Sequence, residues 1–130
     1  MTPDTITQMG NHLQFLGYEV TQAGDRTIAR HAKKLNFSMK PYGGGVLFTA
    51  IMGASKNAKK NTPKYLEFIN LLNRKAAIAR FYADEESDLF IEMWCPDRYD
   101  RAEFGNLMEL WDRDCLLLVA NADQALTFLE

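Results

Sequence analysis

Residues 62–80 read TPKYLEFINLLNRKAAIAR, a helix feeding directly into a strand, and the fold follows from that junction. Thr62 is a good N-cap and Pro63 a good first helical residue, since the fixed φ of proline suits the first turn and its missing N–H is not needed there. Tyr65, Leu66, Ile69, Leu72 and Asn73 recur at helical spacing and are expected along the inner side. Asn70 and Asn73, at i and i+3, share a face beside Leu66 and Ile69. Buried amides must be hydrogen-bonded, so the pair either ties the helix to a neighbouring strand or recognises a ligand or partner.

Before this stretch, Asp4 to Leu16 places Ile6, Met9, Leu13 and Leu16 on one helical face, ended by Gly17. A short strand around Val20 leads to the Gly24-Asp25 turn. Residues 27–40 then read as one extended strand, with Leu35, Phe37 and Met39 alternating against Asn36, Ser38 and Lys40. The turn at Pro41-Tyr42-Gly43-Gly44-Gly45 reverses the chain into a strand from Val46 to Gly53. ASKNAKKN, residues 54–61, reads as a polar loop.

After it, strands over 78–83 and 89–95 flank an acidic hairpin tip, Asp84 to Asp88, which lacks calcium-loop spacing. Asp100 and Glu103 form an acidic variant of the capping box before one long helix through Phe104, Leu107, Met108, Trp111, Cys115, Leu118 and Val119. Asn121 to Gln124 signals a short final helix that packs back. The expected order is α-β-β-β-α-β-β-α, a two-layer α+β fold with an antiparallel sheet and helices, in a single domain over 1–130.

The 130 residues, 47% apolar and 25% charged, suit a water-soluble globular chain. No apolar run reaches the roughly 20 residues of a membrane span, and MTPDTITQMG lacks a signal-peptide pattern, so a cytoplasmic location is expected. Cys95 and Cys115 have no CxxC spacing and read as reduced, buried thiols. Residues 1–83 carry 12 Lys and Arg against 4 Asp and Glu, and residues 84–130 carry 3 against 13. That asymmetry implies either mutual neutralisation in the fold or dimer, or a basic face for an acidic partner.

Catalysis has little support. His12 and His31 fall on different elements, and no GxSxG, HExxH, phosphate-loop or dinucleotide-binding pattern occurs. No catalytic residue, metal or cofactor is expected. Binding has more support, because three strands are apolar on both faces: Leu47 and Ile51 oppose Val46, Phe48, Ala50 and Met52; Ile78 and Tyr82 oppose Ala79 and Phe81; Phe90 and Trp94 oppose Leu89, Ile91 and Met93. The second face needs a partner subunit, a client protein, or the C-terminal helix wrapping round. A homodimer that captures a polypeptide is the leading expectation, with Phe81, Phe90 and Trp94 as the surface and Trp111 as a helix anchor. The alternative is a small-anion or nucleic-acid module at Lys56, Lys59, Lys60 and Lys64. These lysines also suit a solvated loop, and the lack of interleaved aromatics argues against nucleic acid.

YLEFINLLN (65–73) followed by IARFYADEESDLFIEMW (78–94) resembles the YbjN-type family of proposed bacterial sensory transduction regulators. Asn70 and Asn73 stand at its paired-asparagine positions with Leu72 between them. The resemblance covers residues 62–119, while the first 60 match only in element order. It implies a fold like the type III secretion chaperones, with dimerisation, binding of protein segments and no enzymatic role.

Overall fold

Helix α1 (Thr5–Phe15) starts where the Asp4 carboxylate accepts the Thr7 amide at 2.7 Å, and it stops at Gly17, whose φ of +96° suits glycine. The computed structural model describes residues 4–130. Strands β1 (Glu19–Ala23) and β2 (Arg26–Arg30) follow, then β3 (Phe37–Tyr42) and β4 (Gly45–Met52). The stretch 27–40 is therefore two strands, not one. His31 N–H donates to Asn36 Oδ1 at 2.9 Å and Lys33 N–H donates to His31 Nδ1 at 3.0 Å. Those local bonds curl the intervening residues into a loop, as short polar side chains can when they compete with a ladder. Four strands, not three, thus precede the central helix. The β3–β4 hairpin turns on Gly43 and Gly44, both at positive φ.

Residues 54–61 hold a short helix, α2 (Lys56–Lys60), because the Ser55 hydroxyl caps it by accepting the Ala58 amide. The central helix α3 (Thr62–Lys75) is capped by Asn61, whose side chain accepts the Lys64 amide, so Thr62 is its first residue. Strand β5 (Arg80–Ala83) begins two residues later than expected. Then come β6 (Leu89–Pro96), α4 (Arg101–Cys115), α5 (Leu117–Ala120) and α6 (Ala122–Phe128). The long helix expected through Val119 ends at Cys115, and two short helices follow it, with Leu118, Phe128 and Leu129 buried. The cap at its start is as read: Asp100 Oδ2 accepts the Glu103 amide at 2.9 Å.

The strands form one antiparallel sheet in the order β1-β2-β3-β4-β6-β5. The fold is α+β, with helices packed on the sheet, as the sequence implies.

Two compact units make up the chain, with the divisions falling inside β4, β6 and α4. The first is the chain up to Ala50 with Met93–Glu109. Its core is a run of rings, Tyr18 to Phe37 at 5.5 Å, Phe37 stacked on Phe48 at 5.4 Å and Phe48 to Phe104 at 6.3 Å, filled out by Met9, Leu13, Met39 and Met108. Gly10 lies 3.4 Å from the Val20 side chain, measured from where its Cβ would stand, which brings α1 close to β1. The second is Ile51–Glu92 with Leu110–Glu130. Phe128 of α6 packs against Tyr65 and Phe68 of α3, above Leu72, Phe81, Ile91 and Trp111. The charge asymmetry along the sequence is absent from the units: the first holds seven Lys and Arg against seven Asp and Glu, the second eight against ten.

Candidate functional site

Antiparallel pairing places directly opposed residues on one face, so the ladder registers decide which side chains point away from the core. In the first unit Thr21 pairs with Ile28, Ile28 with Ser38, and Lys40 with Leu47. This outward set also carries Arg30, which donates to Thr21 Oγ1 at 3.1 Å, and Arg26, which donates to Ser38 Oγ at 3.4 Å. Lys40 Nζ stands 5.8 Å from the centroid of the Tyr42 ring. Tyr42 is 55% exposed and Trp94 is 46% exposed.

Trp94 is held in one pose. Its indole N–H donates to the Tyr42 carbonyl at 2.7 Å. A Cβ on Gly45 would collide with indole atoms Cζ2 and Cε2 and with the Cys95 carbonyl. The ring therefore lies over the bare backbone of Gly45, which makes a fixed aromatic surface of a residue that is half exposed.

The second unit's outward set is different in kind. Tyr82 pairs with Phe90, and their rings stack at 5.2 Å with an interplanar angle of 19°. Arg80 pairs with Glu92 through a 2.7 Å ion pair. Burial, then a hydrogen bond to Glu92, raises the Tyr82 phenol above its ordinary pKa. Ile51 is also exposed here.

Of the aromatic residues selected from sequence, Trp94 and the half-buried Phe90 stand on the outward side, and two do not. Phe81 is 2% exposed because it opposes Ile91 in the ladder and faces the core; Tyr82 occupies the outward position instead. Trp111 is 1% exposed and belongs to the core of the second unit. Sequence reasoning missed Tyr42, Lys40 and Tyr82. The alternation that marks Phe90 and Trp94 also marks Tyr82, but pairing partners are invisible without a register.

Lys56, Lys59, Lys60 and Lys64 are all exposed, on α2 and the first turn of α3. The acidic hairpin tip reaches the same end of the second unit. Asp88 accepts the Ala54 amide at 3.0 Å and Tyr65 donates to the Ser87 carbonyl at 2.6 Å. Burial, with Asp88 and Asp84 close by, pushes the Tyr65 phenol up to about 12.

Asn73 is a brace. Its amide donates to the Phe81 carbonyl and its oxygen accepts the Phe81 N–H, both at 2.8 Å. Asn70 is exposed, and so is Leu66 at 50%, while Phe68 takes the inner place. Sequence reasoning also missed Asp114, wholly buried at the end of α4. Its carboxylate accepts the amides of Ala77, Ile78 and Ala79 at 2.8–3.1 Å. Those amides are unavailable to a ladder, which is why β5 starts at Arg80.

Among the described residues no group of three or more His, Cys, Asp and Glu side chains stands together as a metal site needs. Burial, then Asp97, pushes the Cys95 thiol up to about 11, and burial, then Asp112 and Asp114, pushes Cys115 up to about 12; both are free. Thiols raised so far hold little thiolate at neutral pH. His31 packs on Tyr18 at 4.9 Å. His12 Nδ1 lies 2.8 Å from the Tyr99 hydroxyl, in a groove of about 320 Å³ with Gln8, Asn11, Phe15 and Arg101. Burial, then the Arg101 charge, lowers the His12 pKa. That groove offers hydrogen bonds and a cation. Among the described residues no helix is long and apolar enough to cross a membrane.

No family model matches the sequence, and no curated protein matches it. By structure, the chain is similar to the crystal structure of YbjN, "a putative transcription regulator from E. coli", with a TM-score of 0.69 and 11% identity over 96% of this chain and 95% of that one. The chain has a YbjN-like fold.

Proposed function

We propose that this chain is a non-enzymatic cytoplasmic binding domain, regulatory or chaperone-like, which works as a homodimer and takes a segment of another polypeptide on the outward sheet surface of its first unit. The observation that carries this reading is the Trp94 platform, a half-exposed indole locked by the Tyr42 carbonyl and seated over Gly45. Rigid aromatic anchors contribute most to interface energies because little side-chain entropy is lost when they are covered. The stacked Tyr82 and Phe90, with exposed Ile51, supply an apolar patch in the second unit that suits a second copy. The neighbour's description as a regulator agrees with a binding role.

Affinity purification from the native host with mass spectrometry, run beside light scattering, tests both parts. Trp94→Ser should lose the captured polypeptides and remain dimeric. Tyr82→Ser with Phe90→Ser should become monomeric. An unchanged capture profile for Trp94→Ser would refute the proposed surface, and a monomeric parent protein would refute the dimer.

A further inference from the structure

We propose that the partner segment is acidic and carries aromatic side chains, its carboxylates meeting Arg26, Arg30 and Lys40 while its rings stack on Trp94 and Tyr42. This deepens the polypeptide-binding reading and rests on it.

The charge on the first unit's outward surface argues for an acidic occupant. Arg26 is engaged by the Ser38 hydroxyl, Arg30 by the Thr21 hydroxyl, and Lys40 by the Tyr42 ring. Among the described residues none of the three has a carboxylate within ion-pair distance, in contrast to Arg80 and Arg98. Glu19, opposite Arg30 in the ladder, is the acidic residue of these rows. Neutral hydroxyls orient the two guanidinium groups and leave their charge available. In an extended segment, alternate side chains lie about 7 Å apart. Neighbouring and next-nearest strands lie about 5 and 10 Å apart, so carboxylates and rings interspersed at every second position, which share one face, can reach both the cations of β2 and β3 and the exposed rings.

The same cations and rings could meet a single-stranded nucleic acid. The chain as a whole opposes it: a net charge of −2 and a pI near 5.7 repel a polyanion charged at every residue more than a peptide whose carboxylates alternate with neutral side chains.

Fluorescence anisotropy with the full chain can separate these cases, using labelled short peptides with Thr at every second position and Phe alternating with Glu, Lys or Ser at the positions between, so that rings and charges share one face, and a labelled oligothymidylate. The Glu–Phe peptide should bind tightest. Lys40→Glu and Arg26→Glu should each weaken it about tenfold, a loss that shrinks at high salt as screening predicts. Trp94→Ala should weaken the Glu–Phe and Ser–Phe peptides alike, by about tenfold. If the Ser–Phe or Lys–Phe peptide binds as well as the Glu–Phe peptide, or if Lys40→Glu changes nothing, the acidic partner is refuted while polypeptide binding stands. If oligothymidylate binds and no peptide does, both readings fall.

Discussion

In the first unit the core is a chain of rings from Tyr18 to Phe104, and the outward sheet residues Arg26, Arg30 and Lys40 are engaged, among the described residues, by neutral groups. In the second unit polar side chains reach across to backbone: Asp114 to residues 77–79, Asn73 to Phe81, Asp88 to Ala54, Tyr65 to Ser87. Its outward row is likewise paired, Arg80 with Glu92 and Tyr82 with Phe90. The difference follows from local structure. Irregular connections such as 76–79 carry backbone amides with no ladder to join, and a buried amide without an acceptor is costly. On the sheet face the second unit's cation is ion-paired within the chain, whereas Arg26, Arg30 and Lys40 of the first unit stay available for something outside it.

The sharpest way to break this contrast is at Asp114. Asp114→Ala removes the acceptor for three amides in a fully buried place and should cost about 3 kcal/mol or more. Urea unfolding measures it. A cost under about 1 kcal/mol would mean that water replaces the carboxylate and that the second unit is not held by side-chain-to-backbone bonds.

Gly45 gives the corresponding test in the first unit, where packing should matter more than polar bonding. Gly45→Ala pushes a methyl group into the Trp94 indole and the Cys95 carbonyl, and overpacking of this kind costs about 1–3 kcal/mol. The indole emission should shift to the red as the ring lifts away. Unchanged emission with unchanged stability would show that the platform is not fixed by Gly45.

The parts of this arrangement that are legible from sequence are those set by near neighbours. Alternation in 46–52 and 89–95 places Val46, Phe48, Leu89 and Ile91 inward and Trp94 outward, and the helix-then-strand reading of 62–80 sets the order of the second half. What escapes depends on residues far apart in sequence. Phe81 rather than Tyr82 reads as a surface residue while the ladder register is unknown, and a shift of one residue inverts the face. Asp114 lies 35 or more positions from the amides that it holds, in what reads as an ordinary amphipathic helix. The indole of Trp94 meets Gly45 only because β4 and β6 are neighbours in the sheet. The loop 31–36 escapes for a local reason, since alternation at Leu35 and Phe37 masks the bonds of His31 and Asn36.

A pH titration sharpens the contrast further. Tyr65 ionises near 12 in the folded chain against an ordinary value of 10.0, so the unfolded chain loses that proton first. The phenol's contribution is complete below pH 10 and is lost as pH rises through 12. Tyr65→Phe should lower stability by about 1 kcal/mol at neutral pH, through loss of the bond to Ser87, and should flatten the decline between pH 10 and 12. An unaltered alkaline profile would place the decline on other groups.

The smallest effect is expected where the two outward surfaces are compared directly by removing one cation from each. Lys40→Ala loses a contact 5.8 Å from a ring that is half exposed, worth about 0.5 kcal/mol at most. Arg80→Ala strips the guanidinium from Glu92, a carboxylate with 7% of its side chain exposed, and should cost about 1 kcal/mol after allowance for the exposed arginine. Added salt should lessen the Arg80→Ala cost, while the Lys40→Ala cost stays small at every salt concentration. Equal costs would mean that the fold depends on Lys40 as much as on Arg80, and the Lys40 charge would then not be free for a partner.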